Sequence, residues 1–123
     1  VRSVRDNGEW EEWLIFFLEC VATAAQDASH TARAILSLRE THRSAVIERL
    51  GARAAKALTL HEHLFRDPYI DVNTAAAMLG VSYPNANTIV GDMVDLGIIR
   101  ESTGQRRHRM FVYRPYLSLF ADL

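Results

Sequence analysis

The residue types able to do chemistry are few in this chain of 123 residues, and they fall into two groups. The first is a scatter of histidines, serines and a single cysteine. His61-Glu62-His63 has the composition of a metal cluster, but helix neighbours two apart point to different faces. A zinc-protease site needs two histidines four apart with a glutamate after the first. The spacing instead describes a solvated helix side. His30 and His42 have no cysteine or carboxylate arrangement around them that marks a ligand. Ser29, Ser37 and Ser44 have no paired base at recognisable spacing, and there is no glycine-rich phosphate loop. Cys20 excludes an intrachain disulfide, fits a reducing compartment, and in its apolar run reads as an inert core thiol. No catalysis, no metal site and no cofactor are expected of this chain by itself.

The second group points to nucleic acid. Tyr83, Asn85, Asn87 and Thr88 open a helical run on the side left free by Ala86, Ile89, Val90 and Met93. Asparagine pairs bidentately with adenine, and threonine meets a phosphate or a thymine methyl. A basic turn follows, Arg106, Arg107, His108 and Arg109, suited to phosphate contacts whose affinity falls with salt. Two features oppose this reading. The helical run has no lysine or arginine, and it carries Asp92 and Asp95, which repel a phosphate backbone if they face it. Protein docking is the competing use of such a surface.

The elements that must position these groups form a recognisable order over Asn73 to Tyr113. A short helix from Thr74 to Leu79, with Asn73 as its cap, ends at Gly80. Ser82 and Pro84 then suit the cap and first turn of a second helix. That helix carries Ala86, Ile89, Val90, Met93 and Leu96 at helical spacing, and Gly97 closes it. Two β-type runs follow, Ile98 to Glu101 and Met110 to Tyr113, joined by the basic turn. Helix, turn, helix and hairpin is the layout of a winged helix-turn-helix, whose second helix enters the major groove while the wing reaches a phosphate or the minor groove. Arg53 to Phe65 supplies the first helix of the unit, and Tyr69 to Val72 a strand to pair with the wing.

The remainder of the chain is helical. Asn7 and Gly8 start a helix whose first turns carry Glu9, Glu11 and Glu12, where the helix dipole favours negative charge. No glycine or proline occurs from Glu9 to Leu50. The pattern predicts a long helix from about Glu9 to His42, with a possible break near Asp27 to Ser29, then a short helix from Ser44 to Leu50 ended by Gly51. Trp10, Trp13, Leu14, Phe17, Leu18 and Val21 make a wide apolar stripe, and Ile15 and Phe16 extend it almost around the helix. Trp10, Trp13 and Phe17 are therefore expected at an interface, with either a dimer mate or a domain on the N-terminal side as cover.

The expected fold is mainly α: a long N-terminal helix or helix pair over residues 1–50, then a winged helix-turn-helix with a small antiparallel β wing over 51–123. Apolar content of 49% and charged content of 24% are those of a globular protein, and the formal net charge of -1 leaves any basic footprint local. The longest apolar run, Trp13 to Leu18, is short of the ~20 residues a bilayer needs. A cytoplasmic chain with no membrane contact is expected. Because the sequence begins at Val1 rather than methionine, it reads as a piece of something longer.

Two stretches resemble a known family. Asn7 to Val21 contains a Gly-acid-Trp-x-x-Trp-Leu-x-Phe-Phe-Leu pattern similar to the helix that follows the catalytic core of Fic-family proteins. Pro68 to Tyr116, with LGVSYPNAN, DLGII, TGQRRHRMFVY and RPYL, resembles the winged-helix tail of bacterial members. The resemblance implies an accessory C-terminal region of an enzyme that transfers AMP from ATP to protein hydroxyls. The family's His-Pro-Phe-x-acid-Gly-Asn-Gly-Arg loop is absent, so ATP and a divalent metal are implied only for a catalytic domain outside this chain. The first helix would then lie against that domain. Ser44 and Glu48 match the spacing of the family's restraining motif, but Arg49 replaces its small residue, and the match is read as coincidence. Implied partners are double-stranded DNA, the catalytic domain of the same parent protein, and a second copy. The competing expectations are a free-standing winged-helix regulator that dimerises through its N-terminal helices, and a docking module without DNA.

Overall fold

The computed structural model describes residues 7–104 and 108–121. It is mainly helical, with a long N-terminal helix and a small three-stranded antiparallel sheet. Helix α1 spans Asn7–Leu50, and a 3-10 turn, Gly51–Arg53, leads into α2, Ala54–Leu64. Strand β1 (Tyr69–Asp71), helices α3 (Val72–Leu79) and α4 (Tyr83–Asp95), strands β2 (Arg100–Glu101) and β3 (Met110–Val112) and helix α5 (Arg114–Ser118) complete the order. The chain divides into two compact units, one up to Ala34 and one from Ile35 onward.

In the first unit α1 is unbroken. The possible break at Asp27 to Ser29 does not occur, and Ser29 caps nothing; its hydroxyl accepts from Arg33 Nη1 at 3.1 Å. Nor is Ser44 to Leu50 a separate helix, because nothing before Gly51 removes a backbone donor or favours a left-handed turn. Gly51 itself stands at φ 55°, which ends the run.

The second unit holds the core. Val46 from the end of α1 is fully buried among Ala57, Leu60 and Leu64 of α2, Ile89, Val90 and Met93 of α4, and Ile98, Phe111 and Tyr113. Val46 explains why the end of α1 belongs to this unit. Strand β3 is central, pairing with β1 (Ile70 opposite Phe111) and with β2 (Glu101 opposite Phe111). β2 is shorter than the run expected from Ile98. The amides of Ile98 and Ile99 turn back to Met93 O at the end of α4, so these residues close a helix rather than extend a ladder.

The helix ends follow local chemistry. Gly80 takes φ 68° at the end of α3, and Val81 N donates to Ala76 O at 3.1 Å. Lys56 Nζ donates to Leu79 O at 3.0 Å, a cation placed at the negative end of that helix. Ser82 caps α4 through a bond from Asn85 N at 3.3 Å, with Pro84 in the first turn, as its sequence position implies. The cap of α3 differs from expectation. Asp71, not Asn73, accepts from Thr74 N at 2.6 Å, and helical geometry starts at Val72. The strand gives up its last expected residue because Asp71 serves as both strand end and helix cap. Helix α5, with Pro115 in its first turn, was not anticipated from RPYL.

Replacing Asp71 by alanine lowers stability by about 1 kcal/mol in urea unfolding. Asn73→Ala leaves the midpoint almost unchanged, and the opposite ranking would return the capping role to Asn73.

Candidate functional site

Helix α4 presents two faces. Ala86, Ile89, Val90 and Met93 are buried, while Tyr83, Asn85, Asn87 and Thr88 are exposed. The apolar spacing dictates this division, since the core takes one side of the helix and leaves the first-turn polar groups in solvent. The Thr88 hydroxyl donates to Pro84 O at 3.1 Å, so its proton is committed within the helix and its methyl and lone pairs remain available.

The β2–β3 hairpin approaches this face through Arg109. Arg109 Nη2 donates to Asn87 Oδ1 at 3.2 Å, and the guanidinium lies 5.4 Å from the Phe111 ring centroid. Phe111 is buried in the core, so the cation rests on a fixed platform. Asn87 is thereby held with its amide NH2 free to donate. Tyr83, Asp71, Asn73, His108 and Arg109 line one small cleft beside it. Hydrogen bonds from Thr74 hold the Asp71 carboxyl below the usual range, with a smaller pull from His108. His108 takes φ 54°, a left-handed turn that reverses the chain into β3. The structure thus brings Tyr83, Asn87 and Arg109 together; Arg109 bonds to Asn87 rather than to Asn85 or Thr88. Arg106 and Arg107 lie outside the described residues.

The acid counted against phosphate contact is partly answered for. Asp92 Oδ2 accepts from Arg53 Nε at 2.6 Å, which raises the Arg53 pKa first through that bond and then through charge. Asp95 remains exposed.

The chain matches no family model and no curated protein. Its assignment therefore rests on its own residues.

A second cluster was not foreseen. His61 is 1% exposed, which overturns its reading as part of a solvated helix side. It occupies the buried face of α2 with Ala57, Leu60 and Leu64. Glu62 alone of the His61-Glu62-His63 run is exposed, and it pairs with Arg39 Nη2 at 2.6 Å. His61 Nε2 lies 2.8 Å from the Tyr113 hydroxyl, and His42 Nδ1 lies 2.7 Å from the same oxygen. The hydroxyl has one proton, so it donates to one imidazole and accepts an N–H from the other. Phe65 stacks edge-on against both His61 and Tyr113, with centroids at 5.0 and 5.4 Å. The available signal was the spacing Ala57, Leu60, His61, Leu64, which puts the histidine on the core side. Among the described residues no three His, Cys, Asp or Glu side chains gather as a metal site.

Burial pushes the His61 pKa down to about 4, with the His42 charge as the next contribution; burial lowers His42 and raises Tyr113.

On α1, Trp10, Trp13 and Phe17 stack in sequence, each neighbouring pair of ring centroids 5.5 Å apart, and all three are exposed. Cys20 is exposed too, against its reading as a core thiol. Leu14, Ile15, Phe16, Leu18 and Val21 are likewise exposed, Phe16 at 66%. No helix among the described residues is long and apolar enough to cross a membrane.

Two outcomes follow from the buried cluster. Tyr113→Phe removes the hydroxyl shared by His42 Nδ1 and His61 Nε2 and costs about 2–3 kcal/mol in chemical denaturation. The folded protein also loses stability as pH falls from about 6.5 towards 4. In that window the unfolded chain binds a proton at His61 while the folded chain, with its depressed pKa near 4, does not. The loss is on the order of 3 kcal/mol, read from unfolding midpoints across that range, and it shrinks in His61→Phe.

Proposed function

We propose that the chain is a non-catalytic C-terminal accessory region of a Fic-family protein AMP-transferase, and that residues 51–123 act as a winged helix that contacts double-stranded DNA. In this reading α3 and α4 are the helix-turn-helix, α4 enters the major groove, and the β2–β3 hairpin is the wing. The supporting observation is the hairpin cation Arg109 bonded to Asn87 on the exposed face of α4. One groove reader and one phosphate reader are thus joined before DNA arrives. Asn85 and Asn87 supply base contacts, Tyr83 a backbone contact, and Arg106, Arg107 and Arg109 the phosphate contacts. The Arg53–Asp92 pair supports the same reading, because it removes one negative charge from the approach.

The family part of the proposal rests on the Gly8-Glu9-Trp10 to Leu18 pattern, whose aromatics are exposed on α1. ATP and a divalent metal belong to the catalytic domain of the parent protein in this reading, and this chain carries no catalytic residue. Regulation of the attached enzyme, a free-standing regulator and a docking module are the competing roles. A parent sequence without the Fic loop upstream would end the family reading and leave the DNA reading standing.

Duplex affinity is expected to fall steeply between 50 and 200 mM salt. It drops at least tenfold when Arg106, Arg107 and Arg109 are all alanine, and the salt slope flattens by about three ions released. Asn87→Ala should instead weaken preferred sites more than random duplex. Fluorescence anisotropy on labelled duplexes reads both. Binding that is undetectable at low salt, or indifferent to salt, would assign the surface to protein docking.

A further inference from the structure

The first unit of the chain contains its own complement. From Trp10 to Leu18, α1 carries Trp10, Trp13, Leu14, Phe17 and Leu18; from Ala24 to Ala32 the same side carries Ala24, Ala25, Ala28 and Ala32. Trp10, Leu14, Phe17, Val21, Ala24 and Ala28 recur at alternate spacings of four and three, the seam by which one helix packs along another. Glu12, Glu19, Gln26 and Arg33 recur every seven residues on the side away from that seam. A bulky half followed by a small-residue half fits a copy of itself running the other way, because the rings of each helix then settle into the shallow alanine surface of the other.

Direction follows from volume. A parallel pair would set tryptophan against tryptophan at one end and alanine against alanine at the other, splaying the first and leaving the second unfilled. The area is adequate. Trp10, Trp13 and Phe17, each about half exposed, with Leu14, Leu18 and Val21, offer roughly 500–600 Å² per copy, and the alanine half brings this towards the ~800 Å² that each partner of a standard interface contributes. A separate catalytic domain would cover the aromatic half equally well. It would not require the alanine half.

We propose that residues 10–34 of two copies pair antiparallel, the aromatic block of each on the alanine block of the other, with the two-fold axis passing beside Val21. In this register Leu14 faces Ala28 of the second copy, Trp10 faces Ala32, and the two Cys20 side chains flank the axis. This assembly goes beyond the DNA reading and does not depend on it.

The test uses the whole chain. Light scattering should give twice the monomer mass, with dissociation on dilution. A short bis-maleimide should link the exposed Cys20 of one copy to that of the other. Ala28→Trp fills the surface that Leu14 needs and should weaken the dimer more than tenfold. Gln26→Trp, on the opposite side of the helix, should leave the mass unchanged. Helical circular dichroism confirms that both variants fold. A monomer at all concentrations overturns the proposal and favours cover by a separate domain. So does a dimer whose Cys20 pair cannot be linked, an Ala28→Trp variant as dimeric as the parent, or monomers recovered only on phosphatidylcholine vesicles.

Discussion

The second unit depends on one hydroxyl. Tyr113 leaves the central strand fully buried and presents its oxygen to His61 of α2 and His42 of α1 at once. Three elements distant in sequence meet there, and each brings a polar group that is costly to bury unpaired. A single proton satisfies the arrangement only if one imidazole donates and the other accepts, so the two tautomers are correlated rather than independent. The surrounding rings of Phe65 and Tyr116 exclude water and make the pairing matter more, since a desolvated hydrogen bond has no solvent substitute. This contact, with Val46, makes the end of α1 a core element rather than an appendage.

From that core outward, the α4 surface is a consequence of packing. Once Ala86, Ile89, Val90 and Met93 point inward, Tyr83, Asn85 and Asn87 have no choice but solvent. The hairpin then adds what the helix lacks. α4 contains no cation, and Arg109 arrives from the other side of the turn, held by Phe111 beneath it and Asn87 beside it. The Asp92 charge is answered in the same manner by Arg53, which precedes α2. A helix that reads as a poor partner for phosphate in isolation becomes a less hostile one in its setting.

α1 shows the opposite balance. Its N-terminal half exposes aromatic rings, of which Trp10, Trp13 and Phe17 stack on one another, and stacking along one helix leaves about half of each of these side chains in water. The apolar area displayed there is that of an interface rather than of an ordinary surface.

Much of this was legible in the residues. Gly80, Ser82, Pro84 and Gly97 determine their turns by backbone restriction alone, and the apolar spacing of α4 determines which side is buried. The absence of glycine and proline from Glu9 to Leu50 determines that α1 continues. These are local constraints, written within a few residues of where they act. Tertiary structure decided the rest. It chose Asp71 over Asn73 as a cap, because β1 must end where it pairs with β3. It buried His61, which is polar by type, because the Tyr113 hydroxyl was brought within hydrogen-bond reach from 52 positions away along the chain. It also gave Arg109 to Asn87 and Arg53 to Asp92, pairs that no periodicity encodes. Sequence patterns specify which side of an element is apolar; only the packed fold specifies which distant polar group arrives to meet it.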